Sequence, residues 1–246
     1  MRLTTQLTNI VVYCCLLLFI GHSVNAQQYK LNWKKEVPII GASIGMAIPS
    51  LVLKKNKAIL TEAQIANLNR NSIWKFDRIS TYNWRPKSAH ASDALLYTAH
   101  AFPLLTMAHP DARKEWDVIG VMAIEAYVLN LGLTSLTKEI FKRKRPFVYN
   151  ANAPLSKKQQ ADATSSFFSG HTSVVAVNSF FTASVLTRYT TNNKLDPLIW
   201  TTAALIPAVT AGLRVRAGKH FPTDVLVGYI VGAGVGLFIP WLHRRW

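Results

Sequence analysis

Three groups of residues stand where chemistry on phosphorus could be done. The segment Gly212–Gly228 reads GLRVRAGKHFPTDVLVG: Arg214, five residues, His220, three residues, Asp224. An arginine can grip a phosphate through two parallel N–H bonds. A histidine can attack phosphorus or move a proton near neutral pH. An aspartate close to a histidine can hold its ring in one tautomer. Upstream, Lys138 is followed by six residues and then Arg145-Pro146. If a helix persists through this stretch, both cations lie on one of its faces. Between these groups, residues 165–173 read SSFFSGHTS. Ser169 and Gly170 open a helix there, whose free N–H groups and positive dipole end suit an anion. Gly170 lets the backbone come close, and His171 stands beside the bound group. Each cluster alone has a plainer reading: a basic helix end including Lys142, Arg143 and Lys144, a serine cap, an aspartate in a first turn. Together they supply two histidines and several fixed cations to a site that suits an anion.

These groups need elements to hold them, and the sequence offers helices. Apolar runs are long and polar alternation is scarce. The expected fold is all-α, a bundle of five to six core helices embedded in a membrane. One helix starts at Ser92 or Asp93 and runs to Met107, interrupted by His100 and Pro103. The next runs from about Lys114 through Lys142, with Glu125 alone in its apolar part. Such a carboxylate is most simply a buried hydrogen-bond partner. Ser169–Leu186, Leu198–Leu213 and Val225–Leu242 complete the set, and every chemical cluster sits at a helix end. Val37–Leu53 is apolar too, but it is short for a span and contains Gly41, Gly45 and Pro49. Thr61 and Gln64 have the spacing of a helix capping box. The polar stretch from there to Lys87 carries no recognisable site.

The formal net charge is +16, and half of the residues are hydrophobic. A basic balance suits an anionic partner, here a phosphorylated substrate or a membrane surface rather than nucleic acid. Arg2, the apolar run Ile10–Ile20 and Val24-Asn25-Ala26 predict an export signal over residues 1–26. Both cysteines, Cys14 and Cys15, fall inside it, which leaves no disulfide or cysteine–metal site. No stretch is dense in carboxylates and histidines, so neither metal nor cofactor is expected. Residues 27–89 form an N-terminal helical and loop region, and 90–246 form the main bundle.

The ordered set Lys-six-Arg-Pro, Ser-Gly-His and Arg-five-His-three-Asp resembles the type 2 phosphatidic acid phosphatase superfamily. That superfamily includes lipid phosphate phosphatases, undecaprenyl pyrophosphate phosphatases, bacterial non-specific acid phosphatases and vanadium haloperoxidases. The motifs cover Lys138 to Asp224, and the helical pattern extends the likeness to about residues 90–242. Phe168 stands where the family commonly has proline, and Leu213 where it commonly has serine. The resemblance implies His220 as nucleophile and Asp224 as its hydrogen-bond partner. It implies His171 as the acid toward the leaving oxygen. Lys138, Arg145, Arg214, Ser169 and the Gly170 N–H would bind the phosphate oxygens. The function implied is hydrolysis of lipid phosphate monoesters or pyrophosphates in the cell envelope, without a metal. The alternatives are a soluble periplasmic acid phosphatase, a vanadate-dependent haloperoxidase and a non-catalytic phosphate-binding protein. With Val37–Leu53 not crossing, two spans precede the site, which then faces the periplasm. Headgroup selection would fall to Phe147–Thr164 and Asn69–His90.

Overall fold

The computed structural model describes residues 28–55, 57, 59–190 and 194–246. The expected export signal and both cysteines lie outside them. Among the described residues there are six long helices and no strand: α1 (Trp33–Lys55), α2 (Pro86–Ala99), α3 (Trp116–Phe141), α4 (Gly170–Tyr189), α5 (Asp196–Arg216) and α6 (Pro222–His243). Short helical turns link them. The expected Thr61–Gln64 capping box is formed, each side chain bonding the other's backbone N–H.

Helix α4 is the centre of the bundle. It is buried along most of its length and packs against α6, α5, α3 and α2. Its contact with α6 is close because Gly228, Gly232 and Gly236 recur every fourth residue and face its carbonyls. A Cβ on Gly232 would fall 2.2 Å from the Ser173 carbonyl oxygen. The main apolar core joins Val177, Phe181 and Val185 of α4 to Ile119 and Met122 of α3, Val235 and Ile239 of α6, and Ile39 of α1.

The outer helices turn apolar side chains outward. Val52, Ile124, Leu131, Leu205, Val209, Leu226, Ile230 and Phe238 are all exposed. Four helical segments are long and apolar enough to cross a membrane: Trp33–Lys54, Trp116–Tyr149, Asp196–Arg216 and Pro222–His243. Exposed Trp33, Trp116 and Trp241 mark the outer ends of α1, α3 and α6 at one face, where interfacial tryptophans belong. The fold is an all-α, membrane-embedded bundle.

Two expectations are corrected. Val37–Leu53 is not a short, broken run: α1 has 23 residues and continues through Pro38 and Pro49. Membrane helices tolerate such prolines because neighbours and local adjustment satisfy the freed carbonyls. In addition, α3 does not persist to Arg145. It stops at Phe141, where Lys142 takes a left-handed conformation (φ 43°) and caps it.

The direction of each helix follows from its end contacts. Tyr29 pairs with Arg244, and the Gln28 N–H donates to Glu115, so the start of α1, the start of α3 and the end of α6 share one face. Lys57, just past α1, bonds Glu139 near the end of α3, so both helices finish on the opposite face. The segment from α2 to Lys114 returns the chain between them. Three passages therefore precede the first motif.

Candidate active site

His220 lies in the turn between α5 and α6 and is buried. Gly218 makes that turn possible. Its φ is +70°, and a Cβ there would meet the Asn83 carbonyl oxygen at 2.1 Å. The Gly218 carbonyl accepts the Phe147 N–H (2.9 Å), which pins the turn to the loop after α3. The Nδ1–H of His220 donates to the Ser166 carbonyl at 2.8 Å. That bond fixes the tautomer and leaves the lone pair on Nε2, to which Arg145 Nη1 donates at 3.1 Å.

Asp224 has a different position from the one the resemblance implies. Its Oδ2 is 3.7 Å from His220 Nδ1, beyond hydrogen-bond length. The same oxygen accepts from Ser166 Oγ (2.5 Å) and the Phe221 N–H (2.9 Å). Its Oδ1 accepts from Arg143 (2.5 Å). The carboxylate thus grips both segments that frame the ring instead of the ring itself. Arg143 continues the network to Asp77 at 2.7 Å, and Asp77 in turn accepts the Thr223 N–H and hydroxyl. Its guanidinium also stacks over Phe221, 4.1 Å from the ring centre.

The cations come from three elements. Arg145 is buried and held by the Asp162 carbonyl (2.9 Å), the Asp162 carboxylate (2.7 Å) and the Lys219 carbonyl (3.0 Å). Lys138 comes from the last turns of α3. A Cβ on Gly170 would lie 3.3 Å from its ammonium nitrogen and 3.2 Å from Thr134, so glycine lets the α4 terminus approach this cation. Buried Arg214 donates to Ser92 Oγ (3.1 Å) and Asp93 Oδ1 (3.3 Å). His171, in the first turn of α4, is bonded through Nε2 to the same Asp93 oxygen at 2.8 Å. Ser169 caps α4 weakly, accepting the Thr172 N–H at 3.4 Å, and its hydroxyl is enclosed against Thr172.

The field of the site follows from this packing. Burial, and then the charges of Arg145, Arg214 and Lys138, push the His220 imidazole well below its ordinary value. The ring is neutral at physiological pH. Burial and Arg214 push His171 down to about 4, against the opposing pull of Asp93. Burial and Arg145 bring Lys219 down to about 8. Four basic groups thus face two carboxylates, Asp93 and Asp162, in a largely enclosed space. Such a concentration of positive charge suits an anion.

Every residue that the motifs singled out converges here: His220, His171, Asp224, Lys138, Arg145, Arg214, Ser169 and Gly170. The sequence reading missed Asp93, Ser166, Arg143, Asp77, Asp162 and Lys219. Arg143 was hidden in a run of four cations, and Asp77 in a stretch with no motif. Ser166 acts on His220 through its backbone carbonyl, which no side-chain pattern reveals.

A buried histidine among buried cations thus stands at one end of a membrane-embedded helical bundle, an arrangement that suits an anion. The chain belongs to the PAP2 superfamily: the family's sequence model matches residues 115–246, more than half of its length. No protein of curated function matches it. Among solved structures, it is similar to the crystal structure of the first transmembrane PAP2 type phosphatidylglycerolphosphate phosphatase from Bacillus subtilis. That likeness has a TM-score of 0.51 and 20% identity, and covers 81% of this chain and 94% of the other.

Proposed function

We propose that this protein is an integral-membrane lipid-phosphate phosphatase working through a phosphohistidine on His220. The observation that carries this reading is the hydrogen-bonded setting of the buried His220 ring. Ser166 holds its Nδ1–H, and its Nε2 lone pair lies among Arg145, Arg214 and Lys138. In the first step Nε2 attacks phosphorus and the bond to the leaving oxygen breaks. His171, held through Nε2 by Asp93, gives the leaving oxygen a proton from Nδ1. In the second step water attacks the phosphohistidine, His171 takes the water's proton, and phosphate leaves with His220 restored. The fixed guanidinium and ammonium groups stabilise the charge that builds on the equatorial oxygens. Arg145 meanwhile exchanges its bond to Nε2 for one to phosphate.

A lipid substrate is supported by the four helices of membrane-spanning length and their outward apolar side chains. Beside Lys138 a cavity of about 300 Å³, lined also by Lys54, Lys57, Ser135, Glu139 and Asp162, gives room for a headgroup. The test is a phosphate-release panel over phosphatidic acid, phosphatidylglycerol phosphate, undecaprenyl pyrophosphate and lipid A phosphate in detergent. The wild type releases phosphate from at least one of them. His220→Ala, with an unchanged unfolding profile, loses at least roughly 10³-fold. Full turnover by that variant would remove the reading.

A further inference from the structure

At the end of the bundle away from the phosphate site, three residues far apart in sequence meet. Glu36 lies in the first turn of α1, Glu125 midway along α3, and His243 at the end of α6. Glu36 and Glu125 are each 3% exposed and His243 is 0% exposed. The Nδ1–H of His243 donates to the Ile239 carbonyl at 2.9 Å, so Nε2 carries the other ring position toward the carboxylates. That nitrogen is hydrogen-bonded to Glu36 Oε1 at 3.0 Å and lies 3.4 Å from Glu125 Oε2. Glu36 Oε1 also accepts the Asn32 N–H at 2.8 Å. Glu36 Oε2 and both oxygens of Glu125 find no hydrogen-bond partner. A buried carboxylate aimed into a cluster and left without a donor is costly unless something positive completes it.

We propose that Glu36, Glu125 and His243 bind a divalent transition-metal ion of the zinc type. Imidazole nitrogen and carboxylate oxygen are both zinc donors. On a tetrahedral ion with bonds near 2.0–2.1 Å, two donors stand about 3.3 Å apart. The observed separations from Nε2 are 3.0 and 3.4 Å, and all three donor atoms lie within 4.8 Å of one another. The bond from Nδ1–H to a backbone carbonyl is the support that metal-bound histidines use to fix tautomer and ring angle. The imidazole selects against magnesium and calcium, which take oxygen donors. The ion would tie the start of α1 to α3 and to the end of α6, at the face opposite the reaction. Its role is structural, and it takes no part in the phosphate chemistry. The motif pattern could not reveal it, because positions 36, 125 and 243 form no cluster in the sequence; the fold assembles them.

The test uses the full chain purified in detergent without added metal. Metal content is measured by mass spectrometry, and thermal unfolding is followed before and after EDTA and on readdition of Zn²⁺, Co²⁺ or Mn²⁺. The expected result is about one transition-metal ion per chain. EDTA should lower Tm and Zn²⁺ restore it, and the Co²⁺ form should show the visible absorption of a tetrahedral site. His220→Ala should keep the metal, while Glu125→Gln should lose it. A wild-type chain without stoichiometric metal, and with Tm unmoved by EDTA and by all three ions, would overturn the proposal. The three residues would then be a buried ion-pair cluster only. Because wild-type metal content decides the matter, a poorly folding Glu125→Gln leaves the test intact.

Discussion

At His220 a backbone carbonyl performs the task expected of a carboxylate. Ser166 accepts the Nδ1–H, while Asp224 stands 3.7 Å away and fastens Ser166 and Phe221. The acid side is organised differently, with Asp93 shared between His171 and Arg214. A pH dependence follows. In the proposed mechanism His171 must carry a proton to act as the acid, and in the unliganded protein it does so only as pH falls toward about 4. His220 must be neutral, and its ionisation lies well below the ordinary value. Below neutrality the protonated fraction of His171 rises, so kcat/KM for a substrate of fixed charge should climb from pH 8 toward about pH 5. Asp93 raises the His171 ionisation, so Asp93→Asn should move that profile to lower pH as well as lowering its height. A reduced height with an unmoved profile would mean that Asp93 does not tune His171. The motif residues were legible because their spacing is local. Asp93 was not, because its partners lie 78 and 121 positions further along the chain.

Among the elements, the α4–α6 contact does most to set the site. It carries Ser169, Gly170 and His171 on one helix and Asp224 on the other, and the Ser169 N–H donates to the Asp224 carbonyl at 3.0 Å. Gly232→Ala should force these helices apart, since its Cβ would meet the Ser173 carbonyl oxygen at 2.2 Å. A loss of about 1–3 kcal/mol is expected. Gly234→Ala is the control: nothing lies within 4 Å of its Cβ, and no loss is expected. Thermal unfolding in detergent compares them, and equal stability of the two variants would contradict the packing account. The helices themselves were legible as long apolar runs. Their ends were less so, for physical reasons. Prolines that break helices in water are tolerated in α1, α5 and α6. The left-handed Lys142 ended α3 without a glycine to announce it.

For the whole molecule, the fold sets a relation between the chain ends and the site. Tyr29 and Arg244 meet at the face opposite His220, with α1, the α2–Lys114 segment and α3 passing between. Single cysteines at Lys219 and Trp246, in a Cys14→Ser, Cys15→Ser background, should therefore react with an impermeant thiol reagent from opposite sides of the membrane. Labelling of both from one side would break this arrangement. The same relation separates two readings that the sequence allowed together. If residue 28 follows an exported segment, three passages bring the site to the cytoplasmic face; a periplasmic site requires residue 28 to start inside. In the sequence the choice turned on Val37–Leu53: crossing, it puts the site at the cytoplasmic face, and not crossing, at the periplasmic one. The all-α bundle and the convergence of its helix ends were legible; the number of passages depended on one proline-containing helix. The central claim remains the covalent step at His220. Its most direct measurement is acid- and base-quench trapping with a ³²P-labelled lipid phosphate, followed by peptide mapping. The account predicts an acid-labile, base-stable label on His220 that chases into phosphate and is absent from His220→Ala. A label on another residue, or turnover that survives His220→Ala, would contradict it.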